Sequence, residues 1–210
     1  MVTNNAINIA TGASGTILRG AGVGVAPTFS TATYPATAGT SGNVLTSDGT
    51  NWASSAPTGG GKLVQVVYAS ISTVQTGTTT IPNDDTIPQN TEGTEFLTLA
   101  VTPTSSTNNL VIEARFNVSH TAGPTSIIGA LFQDSTANAL AVSAITDPGA
   151  NVLSEMTFYY KKVSGTTSST TFKIRIGNDS ASTVTINGSN SARKFGGVYS
   201  SWIQISEIAP

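Results

Sequence analysis

From residue 63 onward, apolar and polar residues alternate with period two in many short segments. That is the pattern of strands with one dry and one wet face. The clearest segment puts Leu110, Ile112, Ala114, Phe116 and Val118 on one face. Val111, Glu113, Arg115, Asn117 and Ser119 fall on the other. The same reading predicts strands over 63–72, 94–101, 126–133, 139–146, 153–163, 170–176, 183–186 and 200–208. Turn formers separate them, among them Pro82-Asn83-Asp84-Asp85, Ala122-Gly123-Pro124, Asp147-Pro148-Gly149 and Asn187-Gly188. No window of about a dozen residues combines helical periodicity with caps. Short strands at this spacing predict an all-β chain, an antiparallel β-sandwich or jelly roll.

The chain before Lys62 reads differently. GASGTILRGAGVGVA from Gly12 aligns without gaps to GTSGNVLTSDGTNWA from Gly39. Gly12, Ser14 and Gly15 match Gly39, Ser41 and Gly42, and Ile17-Leu18 matches Val44-Leu45. Each copy has only two or three large apolar side chains, too few for a core of its own. Stacked repeats generally need at least about three copies. Two readings follow. The segment is a disordered low-complexity arm, or identical chains wind about a common axis and supply the missing core. In the second case Ile17, Leu18, Val44, Leu45 and Trp52 are interchain contacts. Pro57-Thr58-Gly59-Gly60-Gly61 then makes a flexible joint. It ends a stalk over 12–61 and precedes a head over 62–210.

Composition narrows the function classes. Charged residues are 10% of the 210, and the net charge is −2. Nine scattered Lys and Arg make no basic stripe, which argues against nucleic acid. There is no Cys, so disulfides, thiolate metal sites and thiol catalysis are excluded. No apolar run approaches a membrane span, and the N-terminus lacks the pattern of a signal peptide. These features predict a chain made in a cytoplasm, without membrane insertion.

Candidate chemistry is sparse. His120 is the single histidine, so one chain cannot build a triad or a two-His metal site. Three copies on a three-fold axis could gather an ion, but Ser119-His120-Thr121-Ala122-Gly123-Pro124 reads as a strand end entering a turn, with His120 on the surface. Asp84-Asp85, Asp134 and Asp179 sit in turn clusters, where Asp caps backbone rather than facing a second carboxylate across a sugar. No phosphate-cradling glycine motif is present. Phe158-Tyr159-Tyr160, Tyr199 and Trp202 read mainly as core, since alternation turns half of them inward. Lys161-Lys162 and Arg193-Lys194 read as solvated strand ends or turns. The expectation is a non-enzymatic chain with no catalytic, cofactor or metal site.

ATAGTSGNVLTSDGTNWA (36–53) closely resembles a stalk repeat of bacteriophage tail-fibre proteins, and GTILRGAGVGVAPTFSTATYP from Gly15 looks like a first copy of it. IPQNTEGTEFLTLAV (87–101), ALFQDSTANALA (130–141) and WIQISEIA from Trp202 resemble the C-terminal heads of phage fibre-like virion proteins. The resemblance implies a parallel homotrimer, with stalk strands about the three-fold and one sandwich per chain in the head. It implies a structural protein on the phage tail or capsid exterior, assembled in the host cytoplasm. The short stalk favours a short tail fibre or spike that presents a β head for host-surface attachment. A trimeric capsid decoration or cement protein is the alternative, and a non-phage carbohydrate-binding adhesin a more distant one. Residues 1–11 are expected to be an attachment peptide to other virion proteins, and surface glycan is a candidate host partner. The residues that bind a receptor are not indicated.

Overall fold

The computed structural model describes residues 11–37, 39–56, 61–147 and 149–210. The expected attachment peptide, except for Thr11, and most of the expected glycine joint lie outside the described residues. The chain divides into two units, Met1–Gly59 and Gly60–Pro210.

The first unit consists of two small hairpins, one for each repeat. Strands β1 (Leu18–Arg19) and β2 (Thr28–Phe29) pair antiparallel, as do β3 (Val44–Ser47) and β4 (Trp52–Ser55). The repeats bond to each other. Trp52 N–H donates to Thr33 O at 2.8 Å, Asn51 Oδ1 accepts from Thr33 N–H at 2.9 Å, and Tyr34 stacks on Trp52 at 6.2 Å. Asp48 closes the β3–β4 turn by accepting from Asn51 and Thr50 N–H, which holds its carboxyl below the usual range.

The second unit is an antiparallel sandwich. One sheet runs in the order β10 (Ala141–Asp147), β9 (Thr125–Gln133), β12 (Thr170–Asn178), β7 (Thr94–Val101). The other contains β5 (Leu63–Ile71), β16 (Ser201–Ile208), β8 (Asn109–His120), β13 (Val184–Ile186) and β6 (Gln75–Gly77), with β11 (Ser154–Val163) also paired to β8. From β7 to β13 the chain changes sheet at every step except β9 to β10, the connectivity of a jelly roll. A further short ribbon, β14 (Gly188–Ser189) with β15 (Ala192–Arg193), precedes a 3-10 turn at Phe195–Gly197.

Alternation decides which side chains meet between the sheets. Leu110, Ile112, Phe116, Phe172, Ile174, Ile203 and Ile205 are fully buried there. Phe116 and Phe158 meet edge to face with ring centres 6.4 Å apart. Gly129 lies opposite them on β9. A Cβ there would fall 2.4 Å from Met156 Sδ and 2.5 Å from Phe158 Cζ, so only glycine lets the sheets approach this closely.

The two ends of the head chain are tied together. Glu207 is fully buried on β16, yet its Oε1 accepts from Asn108 Nδ2 at 2.6 Å and from Thr104 N–H and Oγ1 at 2.8 Å each. Gln65 Nε2 donates to Oε2 at 2.5 Å. Burial by itself would raise the carboxyl pKa, but the donors from Gln65, Asn108 and Thr104 together outweigh it and pull the value down to about 2.

Candidate functional site

The outer faces of the two head sheets differ in how they are covered. On the four-stranded sheet, Ile128, Ala130 and Phe132 point outward from β9. They are buried by the chain's own loops, through Ile81 and Ala139. Ile81 N–H donates to Asn178 O at 3.0 Å and Gly93 N–H to Thr80 O at 2.9 Å, which fixes the Ile81 loop on the sheet.

Among the described residues of the second unit, no loop covers the outer face of the larger sheet over β5, β16 and β11 in this way. Register places Tyr68 beside Gln204, and Ser70 beside Trp202 with Arg115 beyond it. Tyr68 and Trp202 are therefore diagonal neighbours, and they stack at 6.2 Å. Tyr159 lies across from Glu113 on the same face. Tyr68 is 56% exposed, Tyr159 66% and Val66 45%, and Trp202 is half-buried. A shallow groove of about 440 Å³ runs between Trp202 and Tyr159, over Glu113, Arg115 and Thr157. Arg115 pairs with Glu155 at 2.6 Å, both half-exposed, a contact of small energy. β5 is also an edge strand without charge or proline, a feature that folds usually blunt.

The residues of the first unit singled out by the repeat are open too. Ile17 is 46% exposed, Leu18 44%, Val44 43%, Leu45 51% and Trp52 38%. Ser30 is the one residue of the first unit buried among the described residues. Its hydroxyl accepts from Ile17 N–H and donates to Ala32 O. Hydrogen bonds, not an apolar core, hold this unit's hairpins.

Several sequence expectations change on contact with the fold. His120 does end a strand, but it is fully buried and not on the surface. The three-residue strand β13 pairs with β8 past the end of β16, placing Val184 beside His120, and Asn151 N–H donates to His120 O at 2.6 Å. The aromatic run splits by alternation. Phe158 and Tyr160 face the core, whereas Tyr159 and Trp202 face out, so the core reading fails for those two. Asp84 caps its own turn through Thr86 and is held below the usual carboxylate range by those bonds. Asp179 instead reaches across to Thr125 Oγ1 and Ser126 N–H, and the Thr125 contact leads in lowering its pKa. Lys162 is not simply solvated, since its Nζ donates to Gln133 Oε1 at 2.5 Å.

Among the described residues no group of three or more His, Cys, Asp or Glu is placed to hold a metal ion. No described helix is long and apolar enough to cross a membrane.

No family model matches the chain, and no curated protein matches it. Solved structures similar to it include the Eiger TNF of S. frugiperda, at 12% identity and TM-score 0.40 over 69% of this chain and 93% of that one. The infectious bursal disease virus Gx strain matches at 8% identity and TM-score 0.33, over 78% of this chain and 42% of that one. The enzymatically active domain of bacteriophage CBA120 tailspike protein 4 matches at 16% and TM-score 0.25, over 58% of this chain and 18% of that one. The likeness extends to all-β architecture and no further.

Proposed function

We propose that this chain is a bacteriophage virion structural protein, a short trimeric fibre or spike whose jelly-roll head is presented for host-surface attachment. The observation that carries the reading is the openness of the repeat unit. Its apolar positions, Ile17, Leu18, Val44, Leu45 and Trp52, are ordered into hairpins yet remain solvent-exposed in a single chain. Exposed apolar rows on a hydrogen-bonded scaffold are satisfied when identical chains apply the same rows to one another. The uncovered Tyr68–Trp202–Tyr159 face gives the head a matching surface for the same neighbours. Three heads on one axis convert weak individual contacts with a host surface into avidity. The N-terminal segment is the link to the rest of the particle, and no enzymatic step is required.

Sedimentation velocity on the purified full chain tests the assembly. A species of three chains that persists on dilution is expected, and a monomer at micromolar concentration would overturn the trimer. Imaging of a particle carrying the chain tests its location. Density at a tail tip or baseplate is expected, whereas density at capsid three-fold positions would move the protein to the capsid-decoration class.

A further inference from the structure

A second surface lies on the opposite sheet and is built unlike the aromatic face. An open groove of about 580 Å³ lies on the outer side of the four-stranded sheet, lined by Asn90, Glu95, Asp134, Ser135, Thr171, Lys173 and Arg175 over Phe132. Its size falls within the usual range of small-molecule sites, roughly 300–1,000 Å³. We propose that this groove binds an uncharged pyranose-containing glycan of one or two rings. The proposal rests on the attachment reading above and names the ligand class of the head.

Three features of the lining carry it. The first is that its polar groups are held in place by the fold. Arg175 Nε and Nη2 donate to Glu92 O and Gly93 O at 2.7 Å each, and Nη1 lies 3.5 Å from Glu95 Oε2. Asn90 Nδ2 donates to Ser135 O at 3.3 Å and Thr136 O at 3.2 Å, which leaves its carbonyl oxygen as an acceptor. Asp134 has a left-handed backbone, φ 51°, and its carboxylate accepts from Thr171 N–H at 2.7 Å and Thr170 Oγ1 at 2.8 Å. A carboxylate offers about four lone-pair sites, so Asp134 retains acceptor capacity for ligand hydroxyls. Groups fixed before binding lose little entropy when a ligand arrives.

The second feature is charge. Glu95 and Asp134 balance Lys173 and Arg175, so the lining carries both signs with no net excess. A ligand with a full charge would gain one pair and meet one repulsion. A polyol, whose hydroxyls each donate and accept, matches both signs together. The third is Lys173. It is half-buried in the middle of β12 between Thr171 and Arg175, beside Phe132 in register, and makes no ion pair among the described residues. Its ammonium is the charged donor of the groove without an ion-pair partner among the described residues.

The test is saturation-transfer NMR and calorimetric titration of the full chain with lactose, maltose, cellobiose, sialyllactose and a digalacturonate. Two variants accompany it. Ser135→Trp fills the groove from an exposed position, and Lys173→Ala removes that charged donor. Saturable binding of at least one neutral disaccharide, weakened tenfold or more in both variants with unchanged melting temperature, is expected. Absence of saturable binding by every sugar, equal binding by wild type and Ser135→Trp, or binding confined to the two acidic sugars would each overturn it. Failure here leaves the fibre reading standing if the chain sediments as a trimer. A monomer that binds neutral sugar through the groove would support the site and overturn the fibre.

Discussion

Glu207 on the last strand and Asn108 before β8 are joined by a 2.6 Å hydrogen bond, although they lie 99 residues apart and Glu207 is fully buried. A buried carboxylate is tolerated only when its lone pairs are filled, and Thr104 and Gln65 complete the set. Replacing Glu207 by Gln puts an N–H₂ where an acceptor is required. Glu207→Gln is expected to cost roughly 2–3 kcal/mol, measured as a lower midpoint in urea unfolding at pH 7.

The same site sets a pH dependence. The Glu207 carboxyl titrates at about 2 in the folded chain against an ordinary 4.5. A depressed folded-state value means that the native state favours the ionised form. Its stabilisation is therefore full above pH 4.5 and disappears as pH falls from 4.5 towards 2. The gap between denaturation curves of wild type and Glu207→Gln is expected to narrow steadily from about pH 7 through 4 to 2.5. A constant gap between them would contradict this.

On the uncovered sheet face, Tyr68→Ser with Trp202→Ser distinguishes packing within the head from packing between heads. In a lone chain, substitution at exposed Tyr68 changes stability by about 0.5 kcal/mol or less, and half-buried Trp202 loses mainly its stacking on Tyr68. Between chains, buried aromatics are frequent hot spots worth more than about 1 kcal/mol each. The double variant is expected to leave the circular-dichroism spectrum unchanged and raise the trimer dissociation constant at least tenfold, followed by sedimentation on dilution.

The repeat unit admits a parallel experiment. Leu18→Asp with Leu45→Asp adds charge to the repeat's exposed rows without touching the head. Weaker trimerisation and faster proteolysis before Lys62 are expected, with the head resistant. Unchanged sedimentation and unchanged cleavage would show that those rows face water in the assembled protein.

Gly129 sets the spacing of the sheets opposite Met156 and Phe158. Gly129→Val is expected to destabilise the head by about 1–3 kcal/mol, read from thermal unfolding, and to remain soluble at lower temperature.

Much of the head could be read from alternation. Strands such as β11 and β16 lie where period two places them, because each has a dry and a wetter face, whereas β9 is buried on both. Short pairings escaped the same reading. β13 has three residues, too few for a periodicity, and its register over β8 is what buries His120. Alternation says that neighbours such as Phe158 and Tyr159 take opposite sides of a strand, but not which side faces the core. That depends on what packs on each face, and here the loop through Ile81 covers part of one outer face, over Ile128 and Ala130. The groove over β12 was illegible for a related reason. Asn90, Asp134 and Lys173 are far apart in sequence and meet only through sheet order.

The β5–β16 ladder sets how the second unit would respond to a pull on its first strand. β5 and β16 run antiparallel side by side, and Ala209 N–H donates to Lys62 O at 2.8 Å where β5 begins. A pull delivered at Lys62 against a head held at its opposite pole drives β5 along β16 lengthwise. The rungs then resist together instead of peeling away in turn. Under such a pull, resistance would follow from the direction of β5 and not from the strength of any single bond.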